Sequence, residues 1–271
     1  TVAFLSGHGE GDFGGADTDI DSQAKQSLEG NNYNVISWRL AVSPTITLDQ
    51  VDVLVIGAPQ EVLRDNEIAA IQAYLDSGGR AMIISDPIIP PATQASLNKL
   101  LAKYGATLVQ GVVLDLAKNF QNSPVIVGVD TYPPGAITAD LARRNNPTLF
   151  PQAQAVRPLT ATNNLTVAPL IQTSSEPGAS WLETDTTNPA VQFDPAVDIA
   201  GPVNIAVTIA PPDASTSVTP TTTLTETRLV VFGEAEFASN AVLSDQLPDY
   251  NLDLFANSIS YLAGANELVS I

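Results

Sequence analysis

The sequence predicts an α/β fold, a mostly parallel sheet with helices on both faces, and three observations carry that expectation. Short apolar runs of about four residues alternate with amphipathic stretches of helix length through the first hundred residues. That rhythm belongs to βαβ units. The runs are apolar throughout, as strands covered on both faces are. The rhythm breaks near residue 116 and resumes near 203. The expected main unit is therefore 1–115 with 203–271, and 116–202 is an irregular or β-rich insertion within it.

Val2-Ala3-Phe4-Leu5 is the first strand, followed by the polar, Gly-rich and Asp-rich stretch from Ser6 to Asp21 and a helix through Leu28. Val35-Ile36-Ser37-Trp38 and Val53-Leu54-Val55-Ile56 are the next two strands. Asp65 reads as a helix N-cap, with Glu67 in the first turn facing the positive end of the dipole. Ile68, Ile71 and Leu75 form one apolar stripe, and Ser77-Gly78-Gly79 ends that helix, because Gly adopts the left-handed C′ conformation freely. Ala81-Met82-Ile83-Ile84 is a fourth strand, Leu97, Leu100, Leu101 and Tyr104 mark a helix, and Ala106-Thr107-Leu108-Val109 is a fifth strand.

Prolines and turns then dominate until Val203–Ile209. Pro211 to Thr227, rich in Pro, Ser and Thr, is a long exposed hairpin loop. Arg228-Leu229-Val230-Val231-Phe232 re-enters the sheet, and a last helix presents Leu252, Phe255, Ile259 and Leu262.

Charge narrows the partners. Eleven Lys and Arg stand against 29 Asp and Glu, a net −18. Phosphate-backbone binding needs clustered cations, so nucleic acid is excluded as a partner, and anionic lipid is disfavoured by the same sign. There is no cysteine, which removes thiol nucleophiles and thiolate metal sites. No apolar stretch reaches the ~18 residues of a membrane span. The chain opens inside a strand-like run without an initiating Met, as expected of a piece of a longer protein.

Ligands of open α/β sheets bind beyond the carboxyl ends of the strands. The residues just past those ends are His8, Glu10, Asp86, Glu234 and Glu236, with Asn240 nearby. If the strands are parallel these groups share one rim, able to meet a ligand or partner, to hold a cation or to do acid–base work. Acidic residues at strand ends also cap the next turn or helix, the plainer role for Asp86 and Glu234. His8 is the only histidine, so a His-His metal motif is impossible. Gly7-His8-Gly9-Glu10-Gly11 lacks the spacing and the lysine of a phosphate-binding loop. Ser85 has no nucleophile-elbow G-x-S-x-G around it. No cofactor is implied. Asp12, Asp17, Asp19 and Asp21 form a second acidic stretch, without the Gly and distal Glu of a calcium loop.

Several phrases in order carry a resemblance. They are Phe4-Leu5-Ser6-Gly7-His8-Gly9-Glu10, Val53 to Pro59 with Glu67 to Gly79, Leu229 to Asn240 (L-V-V-F-G-E-A-E-F-A-S-N), and Asn251 to Gly264. This resembles the auxiliary domain of uncharacterised ABC-type transport systems, a family that includes gliding-motility-associated, GldG-like proteins. The resemblance implies a flavodoxin-like layer similar to class I glutamine amidotransferases, though their catalytic Cys has no counterpart here. It also implies an extracytoplasmic domain anchored by membrane helices outside this chain, beside the membrane subunits of the transporter. The expectation is a binding module rather than an enzyme. The alternative is a metal-assisted hydrolase, whose rim carboxylates would hold a cation that activates water.

Overall fold

The computed structural model describes residues 1–10, 22–144, 147–160, 164–185, 192–212, 226–239, 242 and 250–264. The first half runs β1 (Val2–Leu5), α1 (Ser22–Gly30), β2 (Val35–Trp38), β3 (Val53–Gly57), α2 (Asp65–Asp76), β4 (Arg80–Ile84), α3 (Pro91–Ala102) and β5 (Ala106–Val109). Next come β6 (Val112–Asp115), β7 (Asn119–Phe120), β8 (Ser123–Val129), α4 (Ala139–Arg144), β9 (Thr148–Pro151) and β10 (Ala155–Pro158). The last part runs β11 (Thr166–Gln172), β12 (Ser180–Glu183), β13 (Ile199–Ala200), β14 (Asn204–Ala210), β15 (Arg228–Phe232), a 3-10 turn at Glu236–Ala238 and α5 (Tyr250–Ala263).

One seven-stranded sheet, ordered β11-β14-β15-β4-β3-β1-β2, organises the chain. β2, β1, β3, β4 and β15 are mutually parallel, while β14 runs antiparallel to both β15 and β11. This arrangement accounts for the continuous apolar runs. Side chains alternate between faces, and both faces are covered. Val2, Phe4, Val53, Val55, Met82, Val230 and Phe232 join a core with α1 and α5 through Leu28, Phe255 and Ile259. Ala3, Leu5, Leu54, Ile56, Ile83 and Val231 join the opposite core with α2 and α3 through Ile71, Leu75, Leu97 and Leu100. Each such aliphatic side chain, fully removed from water, contributes roughly 1.5–3 kcal/mol before entropy is counted.

Three local expectations are corrected. β5 does not extend the parallel sheet; it pairs antiparallel with β10. Its burial alternates along the strand, whereas β1, β3, β4 and β15 are buried at every position. Arg64, not Asp65, is the N-cap of α2, and Asp65 is an exposed helical residue paired with Lys99 at 2.7 Å. The buried stripe of α5 is Asn251, Leu254, Phe255, Ser258, Ile259 and Leu262, with Leu252 only half-buried. A stripe centred on Phe255 and Ser258 turns Leu252 to its margin. The end of α2 does match expectation. Gly78 sits at φ 96°, Gly78 N–H donates to the Leu75 carbonyl and Gly79 N–H to the Tyr74 carbonyl, the paired bonds of a Schellman stop.

Residues 116–202 contain β7-β8-β9 as one small antiparallel sheet, and β12 and β13, which form another with β6. The same segment supplies β10, the partner of β5, and β11, the edge strand of the main sheet.

Candidate functional site

Because β1, β4 and β15 are parallel, the residues after them in the chain lie along one edge of the sheet, as expected. That edge divides into two unlike ends.

At the β1 end the chain turns through Gly7 and Gly9, both at positive φ (113° and 72°). The turn is docked on the loop before α2: the His8 carbonyl accepts the N–H groups of Gln60 and Glu61, each at 2.8 Å. A Cβ on Gly9 would stand 3.1 Å from that of Gln60. The docking buries the His8 ring between two carboxylates. Nδ1 lies 3.1 Å from Glu10 Oε1 and Nε2 lies 3.1 Å from Glu67 Oε2. Glu10 also accepts the His8 backbone N–H at 2.7 Å, and Glu67 accepts the Arg64 N–H at 2.8 Å. A neutral imidazole can donate from only one nitrogen, so satisfying both carboxylates requires the imidazolium. The hydrogen bond to Glu10, opposed by burial and helped by Glu67, accordingly raises the His8 pKa above 6.5. Burial pushes Glu67 upward, but the Arg64 N–H and His8 outweigh it and leave Glu67 below its ordinary value.

At the β4–β15 end Glu234 and Ser85 turn inward, while Asp86 is half-buried and Glu236 is exposed. Glu234 is fully buried and accepts the backbone N–H groups of Glu236 and, at 2.7 Å, Phe237. Burial raises its pKa well above the ordinary carboxylate value, against those two donors, and the Asp86 and Glu236 charges add to the rise. Asp86 accepts the Ile88 N–H at 2.9 Å, and burial raises it as well. Ser85 is fully buried and its Oγ accepts from Gln154 Nε2 at 3.0 Å. A serine enclosed in this way is not an exposed nucleophile. Asp86 and Glu234 are capping groups, and Glu236 contributes its N–H to that cap. Asn240 and the aspartates at 12, 17, 19 and 21 lie outside the described residues.

The His8 end opens into a cleft of about 210 Å³ lined by Ser6, Gly7, His8, Arg39, Glu61, Arg64 and Glu67 among others. A larger cleft, about 420 Å³, lies away from this rim, against Asp115, Lys118, Tyr132, Gln172, Ser174 and Glu176. Asp115 there is fully buried and saturated by the N–H groups of Ala117, Lys118 and Ser174.

Among the described residues, no group of three or more His, Asp and Glu is placed to hold a metal ion. The only imidazole has both nitrogens turned to carboxylates, and the Asp86 and Glu234 carboxylates accept backbone N–H groups. The three convergent ligands a metal-assisted hydrolase requires are not assembled by the described residues.

Sequence reasoning missed Glu67 as a partner of His8, and Arg39 and Arg64 as cleft residues. Its place beside the helix dipole is only half of the role of Glu67. The signal available was its position at the start of the helix after β3, the strand beside β1. Arg39 directly follows the carboxyl end of β2, a position equivalent to those of the rim.

A family model described as "ABC-type uncharacterized transport system" matches residues 1–265. The chain belongs to this family. The phrases around His8 and Glu234 that carried the resemblance are thus embedded in a match over nearly the whole chain. No curated protein matches. Among solved structures, the mmIFT52 N-terminal domain is similar at TM-score 0.64 and 15% identity, covering 97% of each chain. The cytoplasmic protein STM3548 from Salmonella typhimurium is similar at TM-score 0.50 and 13% identity, with 96% of this chain and 98% of that one covered. At such identities the likeness concerns the fold alone: a mixed α/β unit with a large, mostly parallel central sheet.

Proposed function

We propose that this chain is a non-enzymatic binding module of an ABC-type transport system. It works on the extracytoplasmic side, beside the membrane subunits of the transporter, in systems of the gliding-motility-related kind. The observation that carries the reading is the family match over residues 1–265. The His8 end of the rim is its ligand surface, since the open cleft is there, while Asp86, Glu234 and Glu236 maintain the edge it is built on. A flavodoxin-like arrangement is supported by the strand order β2-β1-β3-β4 and then β15, which puts the topological switch between β1 and β3, beside that cleft. In this reading 116–202 is an insertion into the unit made by 1–115 and 203–271, stitched to it through β10 and β11.

Among the described residues no helix is long and apolar enough to cross a membrane, so the membrane partners are other segments or subunits. The test is affinity purification of the tagged parent protein from detergent-solubilised membranes. The permease and ATPase subunits should accompany it, and an impermeant amine-reactive label should reach its lysines in intact cells. Recovery of the protein without either subunit removes the transporter reading, and labelling only after lysis removes the extracytoplasmic one.

A further inference from the structure

We infer that the cleft at the carboxyl ends of β1 and β2 binds a small oxyanion, a carboxylate or phosphoryl group, through the guanidinium groups of Arg39 and Arg64. The inference rests on the reading of the His8 end as the ligand surface and gives that ligand a chemistry.

The first support is how the cations of this acidic chain are used. Each lysine lies within 4 Å of a carboxylate, and so do Arg143, Arg144 and Arg228. Arg80 is buried and donates to the Leu262 carbonyl at 2.7 Å. Arg39, Arg64 and Arg157, all exposed, have no carboxylate of the described residues within that distance. Two of these three line the same cleft. With 29 acidic residues in the chain, two guanidinium groups left open together at a concave surface are not accounted for by internal pairing.

The second support is the wall behind them. Gly7 has no side chain, and the Arg39 stem lies over it: a Cβ there would come within 3.6 Å of Arg39 Cγ and 3.8 Å of Nε. Of the carboxylates nearest the floor, Glu67 feels the Arg64 charge, yet its hydrogen bonds go to the His8 ring and to the Arg64 backbone. The side chains of Glu10 and Glu67 are buried, and both are engaged by the His8 ring and by backbone N–H groups. Glu61, exposed at the same cleft, is the remaining acid of the lining. Guanidinium forks match the planar or tetrahedral oxygens of carboxylate and phosphate, and charge-assisted bonds of this type are the strong ones. A volume of about 210 Å³ suits a small headgroup rather than a nucleotide or a long chain.

The test is isothermal titration of the purified chain with sodium phosphate and with sodium succinate, at constant ionic strength set by sodium chloride. Saturable binding of at least one is expected. Arg39→Ala and Arg64→Ala should each weaken it about tenfold, while Arg157→Ala should leave it within about twofold. All three arginines are exposed, so the variants keep the fold, checked by unchanged unfolding midpoints. Preference for phosphate or for succinate assigns the group as phosphoryl or carboxylate, and either upholds the proposal. Absence of saturable binding by both, or an equal loss in Arg157→Ala, overturns it. Overturned binding with subunit co-purification intact removes the anion and leaves the transporter reading standing.

Discussion

The two ends of the rim start from the same local pattern, a parallel strand with ionisable side chains within a few residues of its end, and finish as opposites. At the β1 end the ionisable groups meet one another: His8 lies between Glu10 and Glu67, and the assembly floors an open cleft. At the β4–β15 end they meet backbone. Glu234 and Asp86 cap the turns after them, and Gln154 closes over Ser85. The difference lies in what the rest of the chain brings. Among the described residues, the loop into α2 docks on the first end. The second receives the segment before β10, whose Gln154 N–H donates to the Gly233 carbonyl. A polar residue at a strand end stays available to a ligand where the chain that docks on it leaves a cleft.

The largest effect is expected at the closed end. Glu234→Ala leaves the buried Phe237 N–H without its acceptor, at roughly 1–3 kcal/mol, and frees the Glu236 N–H at a more exposed position, while relieving the cost of a buried carboxylate; a net loss of about 1–3 kcal/mol is expected. Urea denaturation measures it, and a loss below about 1 kcal/mol would mean this end is not held by its cap.

The open end should respond to pH instead. His8 is raised in the folded state, so its contribution is fully present below pH 6.5 and is lost as pH rises through the folded value. Glu67 is lowered from 4.5, so its share is present above that pH and is lost as pH falls through its folded value. Together they are worth most between about pH 4.5 and 6.5. Thermal unfolding of the wild type should therefore fall from pH 6.5 upward, relative to His8→Gln, which cannot titrate. Parallel curves for the two proteins would show that the imidazolium is not the form that is folded.

A smaller and purely conformational effect is expected at Gly9. Alanine there must adopt φ near 72° and place its Cβ 3.1 Å from that of Gln60. The left-handed backbone should cost about 1–2 kcal/mol of stability. It should be accompanied by weaker anion binding, since the turn carries the floor of the cleft. Full affinity in a stable Gly9→Ala chain would separate the cleft from the β1 turn.

Much of the frame was legible because it rests on short-range periodicity. β1, β3, β4 and β15 read as continuous apolar runs, and they are the strands buried on both faces. The Gly-Gly stop of α2 was legible for the same reason, being a matter of local φ. β5 misled because four apolar-leaning residues look alike whether a strand lies inside a sheet or beside it. Only its alternating burial, a property of its neighbours, tells the two apart. The rim was legible as a set of positions, since the parallel sheet aligns the ends of its strands.

The sequence by itself determined the class of fold, the strands of its centre, the acidic balance, and the edge where ligands meet such sheets. These rest on composition and on periods of two and 3.6 residues, which are properties of neighbours along the chain. The tertiary structure alone decided which end of that edge is open. It set Glu67, 59 residues from His8, against the ring, and it brought Arg39 and Arg64 into one cleft. Pairing between groups far apart in sequence depends on how the loops dock, and no local pattern records that.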